Sequence, residues 1–216
     1  MTHIIPDPST ESGDLSSLQI QDFWDRHGKS VIVGGLFALI AGLVVLIFVI
    51  FQHNRELDAQ AAFAGAKDDA QFRGIIEKYS GTAPAADASL LLAGSLRKAG
   101  KYDDATAALN DVIKNFPDSS YAALASLGLA ANQAAAQHDQ KYIEALQQTA
   151  AKYNNFFVAP YALLSQAELN VAAGKNGDAA GILRNLTAQY PDSISSRIGS
   201  QYLERLDGVV DTDSKN

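Results

Sequence analysis

Hydrophobic positions along the chain follow two different regimes. From Val31 to Phe51 there are 21 consecutive residues with no charge, amide or hydroxyl; sixteen are Val, Ile, Leu or Phe, and the others are Gly34, Gly35, Ala38, Ala41 and Gly42. As a helix rising 1.5 Å per residue, this stretch covers about 31 Å, which matches a hydrocarbon core of about 30 Å. Its sixteen strong apolar residues give an upper bound of roughly −5 to −10 kcal/mol for insertion. A buried core helix rarely runs this long without a polar face. A removable signal sequence has a shorter apolar core and a short basic leader, whereas an acidic segment of about 30 residues precedes this one. The pattern predicts a retained transmembrane helix over 30–51, in contact with lipid through 31–51.

Beyond residue 52 the apolar positions recur at helical spacing in segments of about 12–17 residues. Alanine, the strongest helix former, occupies 34 of 165 positions there. Turn signals separate the segments: Ser80-Gly81-Thr82, Gly100, Pro117-Asp118-Ser119, His138-Asp139, Asn154-Asn155, Gly174 and Pro191-Asp192-Ser193. Short connections between helices of this length predict antiparallel pairs.

The segments also repeat. Ala99-Gly100-Lys101-Tyr102-Asp103-Asp104-Ala105 returns 74 residues later as Ala173-Gly174-Lys175-Asn176-Gly177-Asp178-Ala179, and Phe116-Pro117-Asp118-Ser119 returns as Tyr190-Pro191-Asp192-Ser193. Lys141-Tyr142 and Ala145 follow Lys101-Tyr102 and Ala105 by 40 residues, so the 74 residues divide into one unit near 34 and one near 40. A period near 34 is that of tetratricopeptide repeats. Ala93, Ala105, Ala167 and Ala179 hold the small positions where paired helices approach closely. Gly100 and Gly174 end first helices in a left-handed cap, and the prolines stop second helices. The Trp position of the consensus holds Ser89 and Leu163, so the repeats are weak. The expected fold is all-α: one N-terminal transmembrane helix, then a TPR-like α-solenoid of three to four helical hairpins over 52–210 with a cap helix from Ser193 to Asp207. Residues 1–29 read as an acidic, partly disordered leader in which Leu15, Leu18, Phe23 and Trp24 favour a short interfacial helix, and 211–216 as a disordered tail.

Charge and composition narrow the function classes. Net charge is −7, which opposes a nucleic-acid partner. Cysteine is absent, which removes disulfides, thiolate metal sites, Cys nucleophiles and lipid attachment through sulfur. Gly28-Lys29-Ser30 resembles the end of a phosphate-binding loop, but Phe23 stands where that motif requires Gly. Asp103-Asp104 suits the first turn of a helix rather than acid–base chemistry, and His138-Asp139 reads as a solvated turn. No catalytic, metal or cofactor site and no small-molecule substrate is expected. Arg26 and Lys29 before the span and Arg55 and Lys67 after it give a slight lean to a cytoplasmic N-terminus.

If the first helix of each hairpin lines one groove, that groove holds Leu90, Arg97 and Lys98, then Tyr121, Leu124 and Asn132, then Tyr161, Leu164 and Glu168. Apolar and small residues with two tyrosines and one basic pair suit peptide segments with hydrophobic side chains. The alternative packs several of them against neighbouring helices.

The acidic leader, the junction Phe23-Trp24-Asp25-Arg26-His27-Gly28-Lys29 leading to Gly34, the single span and the Ala-rich weak repeats together resemble the YfgM-type family of ancillary SecYEG translocon subunits, over about residues 15–207. The Pro-containing leader and the clear Pro-Asp-Ser boundaries depart from that pattern. The resemblance implies a bacterial inner-membrane protein with its N-terminus in the cytoplasm and its repeat domain in the periplasm. Implied partners are the SecYEG translocon, periplasmic chaperones including a membrane-anchored prolyl-isomerase-like one, and translocating or unfolded chains. The implied role is that of a chaperone-like scaffold without catalytic residues. A structural adaptor for another envelope complex, in division or outer-membrane biogenesis, is the competing reading.

Overall fold

The computed structural model describes the backbone of residues 11–213 and the side chains of residues 24–206. Among these residues the chain forms nine helices and no strand: α1 Glu11–Gly65, α2 Asp69–Lys78, α3 Ala83–Lys98, α4 Tyr102–Asn115, α5 Ser120–Ala135, α6 Asp139–Lys152, α7 Val158–Ala172, α8 Asn176–Gln189 and α9 Ile194–Asp213. They divide into two compact units, Met1–Asn54 and Arg55–Asn216. The disorder expected in the leader falls partly on residues 1–10, and that of the tail on 214–216, outside the described residues.

In the first unit, the short interfacial helix expected around Trp24 is continuous with the span, because α1 starts at Glu11. Gly28 is helical, with the Trp24 indole over it; a Cβ there would stand 3.3 Å from the ring. Helical Gly28-Lys29-Ser30 is not a phosphate-binding loop. The helical stretch Trp24–Gly65 is long and apolar enough to cross a membrane, with a best-window mean hydropathy of 3.0. Along its apolar stretch 31–51 the side chains are bare of protein cover, Phe37 at 69% and Leu39 at 73% exposure.

The second unit begins inside α1, whose last residues contribute the fully buried Ala59 to a cluster with Ile75, Tyr79, Ala85 and Ala88. From there each helix packs on the next, and α3, α5, α7 and α9 also stack on one another. This is a solenoid: first helices α3, α5 and α7 form one layer and second helices α4, α6 and α8 the other, with α9 closing the last hairpin. Leu109, Leu146 and Leu183, each at most 2% exposed, fill the same place in successive second helices.

The period differs from the expected one. Each first helix ends at a left-handed residue, Gly100 (φ 74°), Gln137 (φ 59°) or Gly174 (φ 73°). These are two equal steps of 37, not 34 and 40. The aromatic C-caps Tyr79, Phe116, Tyr153 and Tyr190 keep the same step. All three turns close with the paired bonds of a Schellman cap: Lys101 N to Leu96 O at 2.9 Å, His138 N to Gln133 O at 2.9 Å and Lys175 N to Asn170 O at 2.8 Å. The middle turn therefore lies at Gln137, and Tyr142 aligns with Ala105 and Ala179 rather than with Tyr102.

Candidate functional site

The small residues at stacking positions leave a gap on the face of the first helices. Ala93, Gly94, Gly128 and Ala131 floor a groove of about 630 Å³ between α3 and α5. Leu90 and Leu91 of α3 and Leu124 and Leu127 of α5 wall it, Phe63 bounds one end, and Tyr142 and Tyr161 bound the other. Gly128 is there for close approach: a Cβ on it would stand 3.0 Å from Leu109 Cδ2, so α4 and α5 pack with no methyl between them. Gly94 faces open space, with nothing within 4 Å of where a Cβ would be. It keeps the groove deep without serving the core.

Tyr142 is the residue whose role the sequence hid. Its counterparts Ala105 and Ala179 are fully buried between paired helices. A phenol at that position cannot stay there; it packs over Ala130, Leu146 and Ala162 and emerges in the groove wall. Burial pushes its pKa up, the neighbouring Tyr161 and Glu168 push the same way, and a hydrogen bond with Ser165 opposes them. Asp87 and Arg97 are the only charged residues in the lining. Burial raises the Asp87 carboxyl above its ordinary range. The Tyr121 hydroxyl is raised by burial first, then by Asp87 and Glu56.

Of the residues expected in the groove, Leu90, Arg97, Leu124 and Tyr161 line it. Lys98 is exposed in the last turn of α3, and Glu168 is exposed on α7 near Tyr142. Tyr121 is half-buried and leans on Phe116, ring centroids 5.5 Å apart, against the core of the α3–α4 hairpin. Asn132 and Leu164 lie elsewhere. Asn132 is 2% exposed and donates its side-chain amide to the Thr106 hydroxyl at 3.3 Å, while its Oδ1 has no partner. In the 37-residue register it matches Ser95, which donates to Asp69 Oδ2 at 2.9 Å. Both positions face the second helix of the preceding hairpin, so Asn132 joins hairpins. Leu164 is 6% exposed and packs with Ala167, Leu183 and Leu186. The 34-and-40 spacing set Leu124 level with Leu90, whereas Leu127 is the true α5 counterpart; Leu164 matches Leu90 in either register and is instead covered by the α7–α8 core.

The repeat architecture has a counterpart in known families. The sequence matches the family described as tetratricopeptide repeat-like domain over residues 21–139, and a tetratricopeptide repeat over residues 161–193. The chain belongs to the tetratricopeptide repeat-like domain family. No curated protein matches it. The family match starts inside α1, ahead of its apolar stretch, and runs through α5. The stretch between the two matches holds α6 and the turn after it, where Tyr142 replaces the small residue and no proline closes the unit. A tetratricopeptide repeat-like fold is a scaffold for protein–protein interaction, typically without catalysis, and its partners are proteins. Among the described residues no group of three or more His, Asp or Glu comes together to hold a metal.

Proposed function

We propose that this protein is a single-pass protein of the bacterial inner membrane, with its N-terminus in the cytoplasm and its repeats in the periplasm. There it holds emerging or partly folded chains, and the chaperones that receive them, beside the Sec translocon, without catalysis of its own. The observation that carries this reading is the open apolar groove, whose Leu91 and Tyr161 are each 51% exposed. Half-exposed side chains of this size offer roughly 1 kcal/mol each when a ligand covers them, so contacts of this kind capture hydrophobic segments weakly. Weak capture suffices for a tethered site: with a dissociation constant of about 0.1 mM, an effective concentration of about 1 mM fills roughly nine-tenths of the grooves. The resemblance to ancillary translocon subunits supplies the site of action.

The test places a photoactivatable side chain at Leu91 or Tyr161 of the full-length protein in membranes engaged in translocation. Crosslinks to the moving substrate are expected. Labelling of resident membrane proteins alone would replace this reading with the assembly adaptor. A reporter fused after Asn216 checks the orientation; activity only in the cytoplasm would refute a periplasmic role.

A further inference from the structure

Both charged residues in the groove lining, Asp87 and Arg97, sit on α3, ten residues apart and therefore about 15 Å apart along the axis. That separation exceeds the screening length of about 8 Å at physiological salt, so they do not satisfy each other. Neither side chain makes a hydrogen bond or ion pair with another described residue. Between them the wall is apolar, Leu90, Leu91 and Gly94. Each end is reinforced. Glu56, whose Oε1 accepts from Ala83 N at 3.3 Å, adds its negative charge to that of Asp87 at the Tyr121 hydroxyl. Lys98 follows Arg97 in the last turn of α3. The α3 dipole accounts for the cations but not for Asp87, which stands past the first turn, where that field has faded. A carboxylate held half-buried at the edge of an apolar trough with no partner costs free energy unless a cation arrives with the ligand.

We propose that the groove is bracketed by charge and selects peptide segments that carry a basic residue at one end and an acidic residue at the other end of an apolar stretch about 15 Å long. An amphipathic helix of about three turns has that length, and its apolar face would cover Leu91 and Tyr161 while its termini meet Asp87 and Arg97. This rests on the protein-binding reading above and adds to it a preference that hydrophobicity alone does not give. Half-exposed charge pairs are worth about a threefold gain in affinity at each end, and roughly tenfold together. The gain shrinks as salt rises.

The experiment titrates the full-length protein in nanodiscs of zwitterionic lipid with four labelled peptides that share one apolar core and end in Lys and Glu, Lys and Lys, Glu and Glu, or Gln and Gln. The Lys–Glu peptide is expected to bind tightest, by roughly tenfold over the Gln–Gln peptide. Asp87→Asn and Arg97→Gln should each remove about threefold of that advantage, and Asp87→Lys should make the Glu–Glu peptide the best ligand. Gly94→Trp, which fills the groove from a position facing open space, should abolish binding of all four. Equal affinities for all four peptides, still abolished by Gly94→Trp, overturn the charge preference and leave the protein-binding groove standing. No Gly94-dependent binding of any peptide overturns both.

Discussion

Gln137 occupies a backbone conformation that its two counterparts give to glycine. At φ 59° its Cβ crowds the following carbonyl, at a cost of roughly 1–2 kcal/mol for an L-residue. Its side chain is exposed and makes no hydrogen bond, so Gln137→Gly removes the strain and forfeits nothing. Against this stands the greater freedom of glycine in the unfolded chain, about 0.5–1 kcal/mol. The net expectation is a stabilisation of about 0.5–1 kcal/mol. For a repeat unit of this size that raises the melting temperature by roughly 1–4 °C. Because a solenoid opens hairpin by hairpin, the sharper assay is native-state hydrogen exchange, in which amides of α5 and α6 should slow more than those of α8. Gly100→Ala and Gly174→Ala are the reciprocal changes and should each cost about 1–2 kcal/mol. If Gln137→Gly destabilised the protein, or if the two reciprocal variants melted like the native chain, the equivalence of the three turns would be refuted.

Two glycines on the same face should respond in opposite ways to alanine. Gly94→Ala meets no neighbour and gains helix propensity, so it should stabilise by up to about 1 kcal/mol. Gly128→Ala drives a methyl into Leu109 and should destabilise by about 1 kcal/mol after the same gain, as read from urea midpoints. Leu146→Ala empties a fully buried site in the central hairpin and should cost about 2–5 kcal/mol, with exchange protection falling first in α5 and α6. Burial lifts the Asp87 pKa above its ordinary 3.8, so the folded state holds this proton more tightly than the unfolded one. Its contribution favours folding below pH 3.8 and is lost as pH rises through the elevated folded value. Asp87→Asn should remove that fall from the pH dependence of the urea midpoint; an unchanged profile would contradict the desolvation of this carboxylate.

The ends of the repeat were legible in the sequence because their chemistry is obligatory. A left-handed helix end favours glycine, and Gly100 and Gly174 supply it; a stop after the second helix favours proline, and Pro117 and Pro191 supply that. The middle unit was misread because it solves the same steric problems with other residues. Gln137 takes the left-handed turn under strain, no proline closes the unit after Tyr153, and the pair Lys141-Tyr142 copies Lys101-Tyr102 by coincidence of type. Dividing the 74 residues as 34 and 40 instead of two steps of 37 shifts the middle unit by three residues, nearly one helical turn. An error of that size keeps apolar residues on an apolar face, so the pattern still looked right. It brings Asn132 into the expected groove and leaves out Leu127, whereas Leu164, 74 residues from Leu90, holds the same place in either register and is taken up by the core with Leu183 and Leu186. The polar pair that joins each hairpin to the one before it, Ser95 with Asp69 and Asn132 with Thr106, is spaced 26 residues apart in both cases. That constant spacing, once the step of 37 is known, assigns Asn132 to a joint between hairpins.

Where the groove stops follows from one substitution in the repeat. Across the stacked first helices the row Gly94, Ala131 and Glu168 starts with two small residues, which opens the floor between α3 and α5. One step on, the same row presents a long acidic side chain, and the row Leu91, Gly128 and Ser165 ends in a serine that is only 7% exposed. Where Ala105 and Ala179 are fully buried between paired helices, the Tyr142 phenol emerges into the groove wall. Packed over Ala130, Leu146 and Ala162, it forms the end wall together with Tyr161. A uniform repeat, with alanine at 142, would leave Tyr161 alone to bound the groove on this side, and a peptide could run further along the face. The irregular central hairpin gives the protein a site of finite length, with Asp87 and Arg97 along one wall. The departure that weakens its match to the repeat pattern is therefore the one that gives its binding face an end.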